Sequence, residues 1–227
     1  MEVKICGLND AAGLAAAVEA GADWVGFVFF PRSPRAVTPA EAAALSARHP
    51  GGPRGGPRGG PGRGPGRVGL FVDPDDAALD AALDALPLDA LQLYASPARI
   101  AEIAARVGVP IWRAVAVGGP ADLPAAAGAE ARLVIEPRPP ADATRPGGNA
   151  VRLDWTLTRG WAAPRPWLLA GGLTPEVVGG AIAASGARAV DVSSGVESAP
   201  GVKDPARIRA FVAAARAAGS YPDRREA

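Results

Sequence analysis

The feature that most constrains this chain is a recurrence. Eight short apolar runs rich in β-branched residues occupy positions 3–6, 24–29, 68–72, 90–93, 111–115, 133–136, 167–170 and 189–192. Their length and composition read as strands. The Ala-rich segments between them carry apolar residues at helical spacing, as in Leu79, Leu83 and Leu86, or Ile100, Ile103 and Val107. Such alternation calls for a parallel sheet with helical crossovers. About eight strand–helix units in 227 residues predict an α/β chain closed into a (β/α)8 (TIM) barrel, one domain over 1–227. An open doubly wound sheet is the alternative. It would be marked by a dinucleotide fingerprint after the first strand, and Cys6-Gly7-Leu8-Asn9 is not one.

The helix starts repeat a second signal. Thr38-Pro39, Asp73-Pro74, Ser96-Pro97, Thr174-Pro175 and Asp204-Pro205 each put a capping oxygen before a proline. The oxygen accepts a bond from an orphaned helix N–H, and proline at the first helical position forfeits none. Glu41, three after Thr38, completes a capping box. Gly21 and Gly108 suit helix C-termini.

Two stretches break the pattern. Residues 51–67 contain only Gly, Pro and Arg and read as a flexible low-complexity insertion between the second helix and the third strand, on the barrel's N-terminal face. The other reading of this segment is a nucleic-acid arm. Against it stands the charge: 24 Lys+Arg against 23 Asp+Glu, a net +1, where a binder of nucleic acid shows a basic patch or stripe. Residues 137–153 form a Pro/Gly-rich loop on the opposite face, where a lid would lie. Residues 220–227 read as a polar tail. One cysteine and one histidine can form neither an intrachain disulfide nor a Cys/His zinc set. No apolar run reaches the roughly 18 residues of a membrane span. A cytoplasmic protein is expected, a monomer or homodimer, with no nucleic-acid or membrane partner.

Barrel chemistry belongs to the C-terminal ends of the strands. Lys4 and Cys6 alternate onto one side of the first strand. A thiol beside an ammonium has a depressed pKa, although a lone cysteine is as readily a small buried hydrophobe. Arg32 and Arg35, on a proline-stiffened loop, suit a carboxylate or phosphate, or are simply solvated. Glu136 ends the sixth strand as a candidate acid or base, or a salt-bridged rim residue. Gly171-Gly172 and Ser193-Ser194-Gly195 follow strands seven and eight, where barrels cradle phosphate with backbone amides. A branched side chain at Gly172 would fill the space of that anion.

Taken in order, KICGLND, GADWVGFVFFPRSPRAVTPAEA, VGLFVD, LQLY, LAGGLTPEVV and AVDVSSGVESAPGVKD resemble the phosphoribosylanthranilate isomerase family, barrel enzymes of tryptophan biosynthesis. The resemblance implies an Amadori rearrangement of an aldose amine to a ketose amine, acting on a phosphosugar and needing no cofactor or metal. It implies Cys6 as general base and Glu136, where the family has aspartate, as general acid. It implies Arg35 at the anthranilate and Asp191 in the site; Lys4, Arg35 and Asp191 are read as the substrate-binding residues. It places phosphate at Gly171, Gly172, Ser194 and Gly195. The chain departs from the family where LQLHG becomes Leu91-Gln92-Leu93-Tyr94-Ala95, and where the turn before Leu153-Asp154-Trp155 reads Gly147-Gly148-Asn149. The alternative is a diverged barrel isomerase, or a binder, of another amino sugar phosphate. Deleting 51–67 is expected to leave isomerase activity within a few-fold of the parent. A collapse in a still-folded protein would overturn the placement of the insertion away from the site.

Overall fold

The computed structural model describes residues 1–49, 64–143, 145–147 and 151–219. Eight parallel strands close into a barrel: β1 (Glu2–Cys6), β2 (Trp24–Val28), β3 (Gly66–Val72), β4 (Ala90–Tyr94), β5 (Ile111–Val117), β6 (Arg132–Pro137), β7 (Trp167–Leu169) and β8 (Ala189–Val192). Each pairs with the next, and β8 pairs back onto β1 with Lys4 opposite Asp191. The closed barrel and the order of strands are as the recurrence predicts.

Among the described residues the helices number six, not eight. They are α1 (Ala11–Glu19), α2 (Pro39–Ala47), α3 (Asp76–Ala85), α4 (Pro97–Arg106), α5 (Val178–Ser185) and α6 (Pro205–Gly219). The described residues of the segments after β5 and β6 hold only 3-10 turns, Pro120–Asp122 and Trp155–Thr158. Both segments are broken by proline and glycine (Gly118, Gly119, Pro120 and Pro124; Pro137, Pro139, Pro140 and Pro146). A proline there removes a helix donor and a glycine costs backbone entropy.

Three of the five capping signals act as expected. Thr38 accepts from the amide of Glu41 in a reciprocal box, Ser96 from that of Arg99, and Asp204 from those of Ala206 and Arg207. The other two do not. Asp73 sits at φ +44, and Asp75 is the cap of α3. Thr174 starts a turn, and α5 begins at Val178 with no side-chain cap. Gly21 takes the left-handed conformation after α1. Gly108 does not, because α4 ends on an extended Val107; the left-handed stop at Gly186, after α5, went unread. Gly66 and Arg67 belong to β3, so the insertion ends before residue 66 and its deletion has to stop there too. Residues 51–63 and 220–227 lie outside the described residues.

Strand alternation divides the apolar residues between two cores. Ile5, Phe27, Phe71, Leu91, Leu133 and Val190 point outward and pack with Leu14, Leu79, Ile103, Ile208 and Phe211 of the helices. Inside the barrel, Trp24, Val68, Trp112, Val134 and Leu168 form the lower filling. Trp24 meets Trp112 edge-on at 4.8 Å, and the Arg132 guanidinium lies 5.5 and 5.2 Å from the two ring centres. Arg132 also pairs with Glu2. The barrel floor is thus closed by two indoles, which leaves only the upper end open.

Trp24 fits because its register partner on β3 is Gly66. A Cβ at Gly66 would stand 2.3 Å from the Trp24 ring. Gly66→Ala is expected to cost about 1–3 kcal/mol, the usual cost of overpacking a filled interior, measured by urea unfolding. A variant as stable as the parent would show that the indole has room to move.

Candidate active site

The strand ends open into a cleft of about 830 Å³, counting the space at its mouth. Cys6, Arg35, Glu136, Asp191, Gly171, Gly172, Ser194 and Gly195 all line it. Eight of the nine residues that the sequence singles out therefore converge, although they come from the loop after β2 and from, or just after, β1, β6, β7 and β8. Lys4 is the ninth. It is fully buried beneath the cleft, with its Nζ 3.0 Å from Asp191 Oδ1.

Burial, the largest influence on Lys4, favours the neutral amine. Asp191 and Cys6 together outweigh it and hold the ammonium above its ordinary pKa. Cys6 behaves differently from the sequence expectation. Its thiol is pushed up, not down, because burial outweighs the neighbouring Lys4 ammonium and the Asp191 carboxylate adds to the rise. Proximity to a cation depresses a thiol only where solvation of the thiolate survives. Glu136 goes the way its position suggests. Burial pushes its carboxyl to about 8 and Asp191 adds to this, against the opposing hydrogen bond from Tyr94 and the charge of Lys4. It is therefore mostly protonated at neutral pH.

Arg35 is not a free guanidinium. Its Nε and Nη2 bond Glu197 at 2.7 and 2.8 Å. Glu197 also receives Lys203 at 2.7 Å, and Lys203 reaches the Ser193 carbonyl at 2.9 Å. Burial works to raise the Glu197 carboxyl, but these cations prevail and hold it below the usual range. Glu197 and Lys203 are residues beside the site to which the sequence gives no role, and Tyr94 stands out there only as a departure from the family motif. Glu197 and Lys203 stand inside the same VDVSSGVESAPGVKD run, so their signal was present. The pairing of Glu197 with Arg35, 162 residues away, was not. Arg32 is exposed and faces a shallower recess with Asp73 at the outer mouth.

The two glycine turns touch. A Cβ on Gly195 would lie 1.7 Å from the Leu173 carbonyl oxygen, so only glycine lets the loop after β8 close against that after β7. Gly171 and Gly172 both have positive φ, at +85 and +68. A Cβ at Gly172 would meet the Arg152 backbone at 2.7 Å. The expectation that a branch there fills anion space is thus corrected: it would strain the turn and strike the loop after β6. That loop borders the mouth through Pro137, Pro139, Pro146 and Val151.

Residues 3–214 match the family model of N-(5'-phosphoribosyl)anthranilate (PRA) isomerase. The N-(5'-phosphoribosyl)anthranilate isomerase of Paracoccus denitrificans is 56% identical over 222 residues, covering 96% of this chain and 98% of that protein. The crystal structure of phosphoribosyl anthranilate isomerase from Thermotoga maritima is similar at a TM-score of 0.77 and 31% identity, over 96% of this chain and 99% of that one. A further isomerase structure, in complex with reduced 1-(o-carboxyphenylamino)-1-deoxyribulose 5-phosphate, is similar at 0.74 and 30% identity, over 96% and 99%.

The raised Glu136 carboxyl makes stability depend on pH. The unfolded chain ionises it near its ordinary value of 4.5, whereas the folded chain keeps the proton to about 8. Between those values the folded state binds more protons, so this group's contribution to stability falls as pH rises. Glu136→Gln is neutral throughout and removes that slope. Its unfolding free energy relative to the parent should grow from pH 4.5 to 8, by at most about 1.4 kcal/mol per pH unit. A flat difference across urea titrations would show that the carboxyl is ionised in the fold.

Proposed function

The chain belongs to the N-(5'-phosphoribosyl)anthranilate isomerase family, and on that premise we propose that Glu136 and Cys6 are the general acid and general base of its reaction. That reaction is the aldose–ketose isomerisation of N-(5'-phosphoribosyl)anthranilate, in tryptophan biosynthesis. The observation that carries the assignment is Glu136 itself. It is a buried carboxyl, neutral at pH 7, lining the same cleft as the only thiol of the chain.

In this reading the substrate phosphate rests on the amides of the glycine turns at Gly171, Gly172, Ser194 and Gly195. Arg35, oriented by Glu197, turns its remaining N–H groups to the anthranilate carboxylate. Glu136 gives its proton to the ribose ring oxygen. The C1′–O4′ bond breaks and the anthranilate nitrogen forms a cationic imine with C1′. Cys6 then takes the C2′ proton, and its C–H electrons move into a C1′–C2′ double bond, neutralising the nitrogen. The resulting enol amine becomes a ketone at C2′ and a methylene at C1′. Oxidation at one carbon balances reduction at the other, so the chemistry needs no external redox partner.

The raised thiol pKa fits this order of events. Burial keeps Cys6 protonated before the reaction. Once a cationic imine forms above it, with Lys4 below, the thiol releases that proton to solvent. The thiolate accepts the C2′ proton, and solvent returns a proton to Glu136 at the end of the cycle. Lys4 and Asp191 act from beneath as a fixed dipole. The chain is taken as a monomer or homodimer. A cytoplasmic location fits its single buried cysteine, and among the described residues no helix is long and apolar enough to cross a membrane.

Two variants test the roles through loss of substrate fluorescence. Glu136→Gln and Cys6→Ala should each lower kcat by ~10²–10⁴-fold, the usual weight of one acid or base, with KM within a few-fold of the parent. Parent-like turnover in either variant removes that residue from its role.

A further inference from the structure

Tyr94 has no part in the steps above, yet it is the side chain that holds Glu136. β4 and β6 are separated by β5, so contact between their inward-facing ends has to cross the top of the barrel. Tyr94 and Glu136 are long enough to do so, and the phenol acts on the carboxyl there, favouring its charged form. The point where a Cβ of Gly147 would stand lies 2.4 Å from Tyr94 Oη and 2.8 Å from Glu136 Oε2. The loop after β6 therefore comes down on this pair. The second carboxyl oxygen, Oε1, is buried and has no hydrogen-bond partner among the described residues. The backbone beneath the phenol is also fixed: Asp73, at φ +44, donates its N–H to the Tyr94 carbonyl at 2.9 Å.

We propose that Tyr94 is a positioning residue for the isomerisation: its hydroxyl donates to Oε2 of Glu136, fixes the carboxyl, and leaves Oε1 as the oxygen that carries the transferable proton. The inference rests on the reading of Glu136 as general acid. A glutamate carboxyl has one torsion more than an aspartate carboxyl, and misplacement of about 1 Å can cost ~10²-fold in rate. A phenol from across the barrel removes that freedom. Its own pKa is pushed well above the ordinary value by burial and then by Glu136, so it stays a donor throughout the working pH range.

The groups facing Glu136 are Tyr94 from β4, Asp191 from β8, Lys4 from β1, with Cys6 beside them and Arg145 of the loop lining the same cleft. Of these, Tyr94 favours the carboxylate by direct donation. Its removal and its strengthening should therefore move the Glu136 titration in opposite directions. The probe is the infrared carbonyl band of the protonated carboxyl, assigned by its absence from Glu136→Gln. In Tyr94→Phe the midpoint should rise by about one pH unit, the weight of one hydrogen bond to a charged group. Biosynthetic 3-fluorotyrosine, whose hydroxyl is a stronger donor, should lower it. The second tyrosine, Tyr221, is replaced by Phe in all samples so that only Tyr94 carries the label. The fluorinated protein keeps a tyrosine ring at position 94, so this arm survives if Tyr94→Phe fails to fold. Tyr94→Phe should also lower kcat about tenfold with KM within about twofold.

Midpoints that stay put, or shift in the same direction, overturn the inference. If Glu136→Gln loses turnover while the midpoints stay put, Glu136 is still the acid and Tyr94 alone is dismissed. If Glu136→Gln turns over like the parent, the acid assignment fails and this inference falls with it.

Discussion

One buried ion pair sits where the barrel closes. Lys4 on β1 and Asp191 on β8 stand opposite each other in register, 3.0 Å apart, with almost no exposure. Neither charge has water to fall back on, and removing one partner of such a pair typically costs about 3–5 kcal/mol. The seam between the first and last strands is therefore also the place where the fold cannot tolerate a gap. The pair also sets the electrostatics of the cleft above it. The ammonium pulls the Cys6 thiol down while the carboxylate pushes both Cys6 and Glu136 up. Barrel closure and the charging of the site are one arrangement.

Two glutamates show what that environment decides. Glu136 is buried beside the Tyr94 phenol and keeps its proton to about 8. Glu197 is also buried, but Arg35 and Lys203 surround it and it stays ionised below the usual range. The same side chain keeps its proton in one place and is an ionised structural partner in the other. The difference lies in the partners, and in the deeper burial of Glu136.

The missing helices have a consequence for the mouth. Among the described residues after β6 no α-helix carries the chain down the outside of the barrel, and Pro139, Pro146 and Val151 instead border the cleft. Contacts from this loop reach Gly171, Gly172 and the Tyr94–Glu136 pair. A departure from the eightfold repeat thus supplies part of the site's wall.

The sequence by itself determined what short-range physics controls. Strand runs alternate with helical spacing, and that alternation requires parallel crossovers. Thr38, Ser96 and Asp204 cap because the donors they satisfy lie two or three residues away. The positions of Cys6, Glu136, Gly171 and Asp191 at strand ends follow from the same count, which is why the cleft's residues could be named before it was seen. Local signals failed where a neighbour in space intervened. Asp73 has a capping side chain, but its backbone is committed to Tyr94 on the next strand. Only the tertiary structure decided the protonation of Cys6, the capture of Arg35 by Glu197, the contact of Gly172 with Arg152, and the clasp of Tyr94 on Glu136. Each depends on which group stands across the barrel, tens to hundreds of residues away along the chain, and on how much water is left between them. A charge's solvation and its partners are properties of that enclosure, and no run of adjacent residues encodes them.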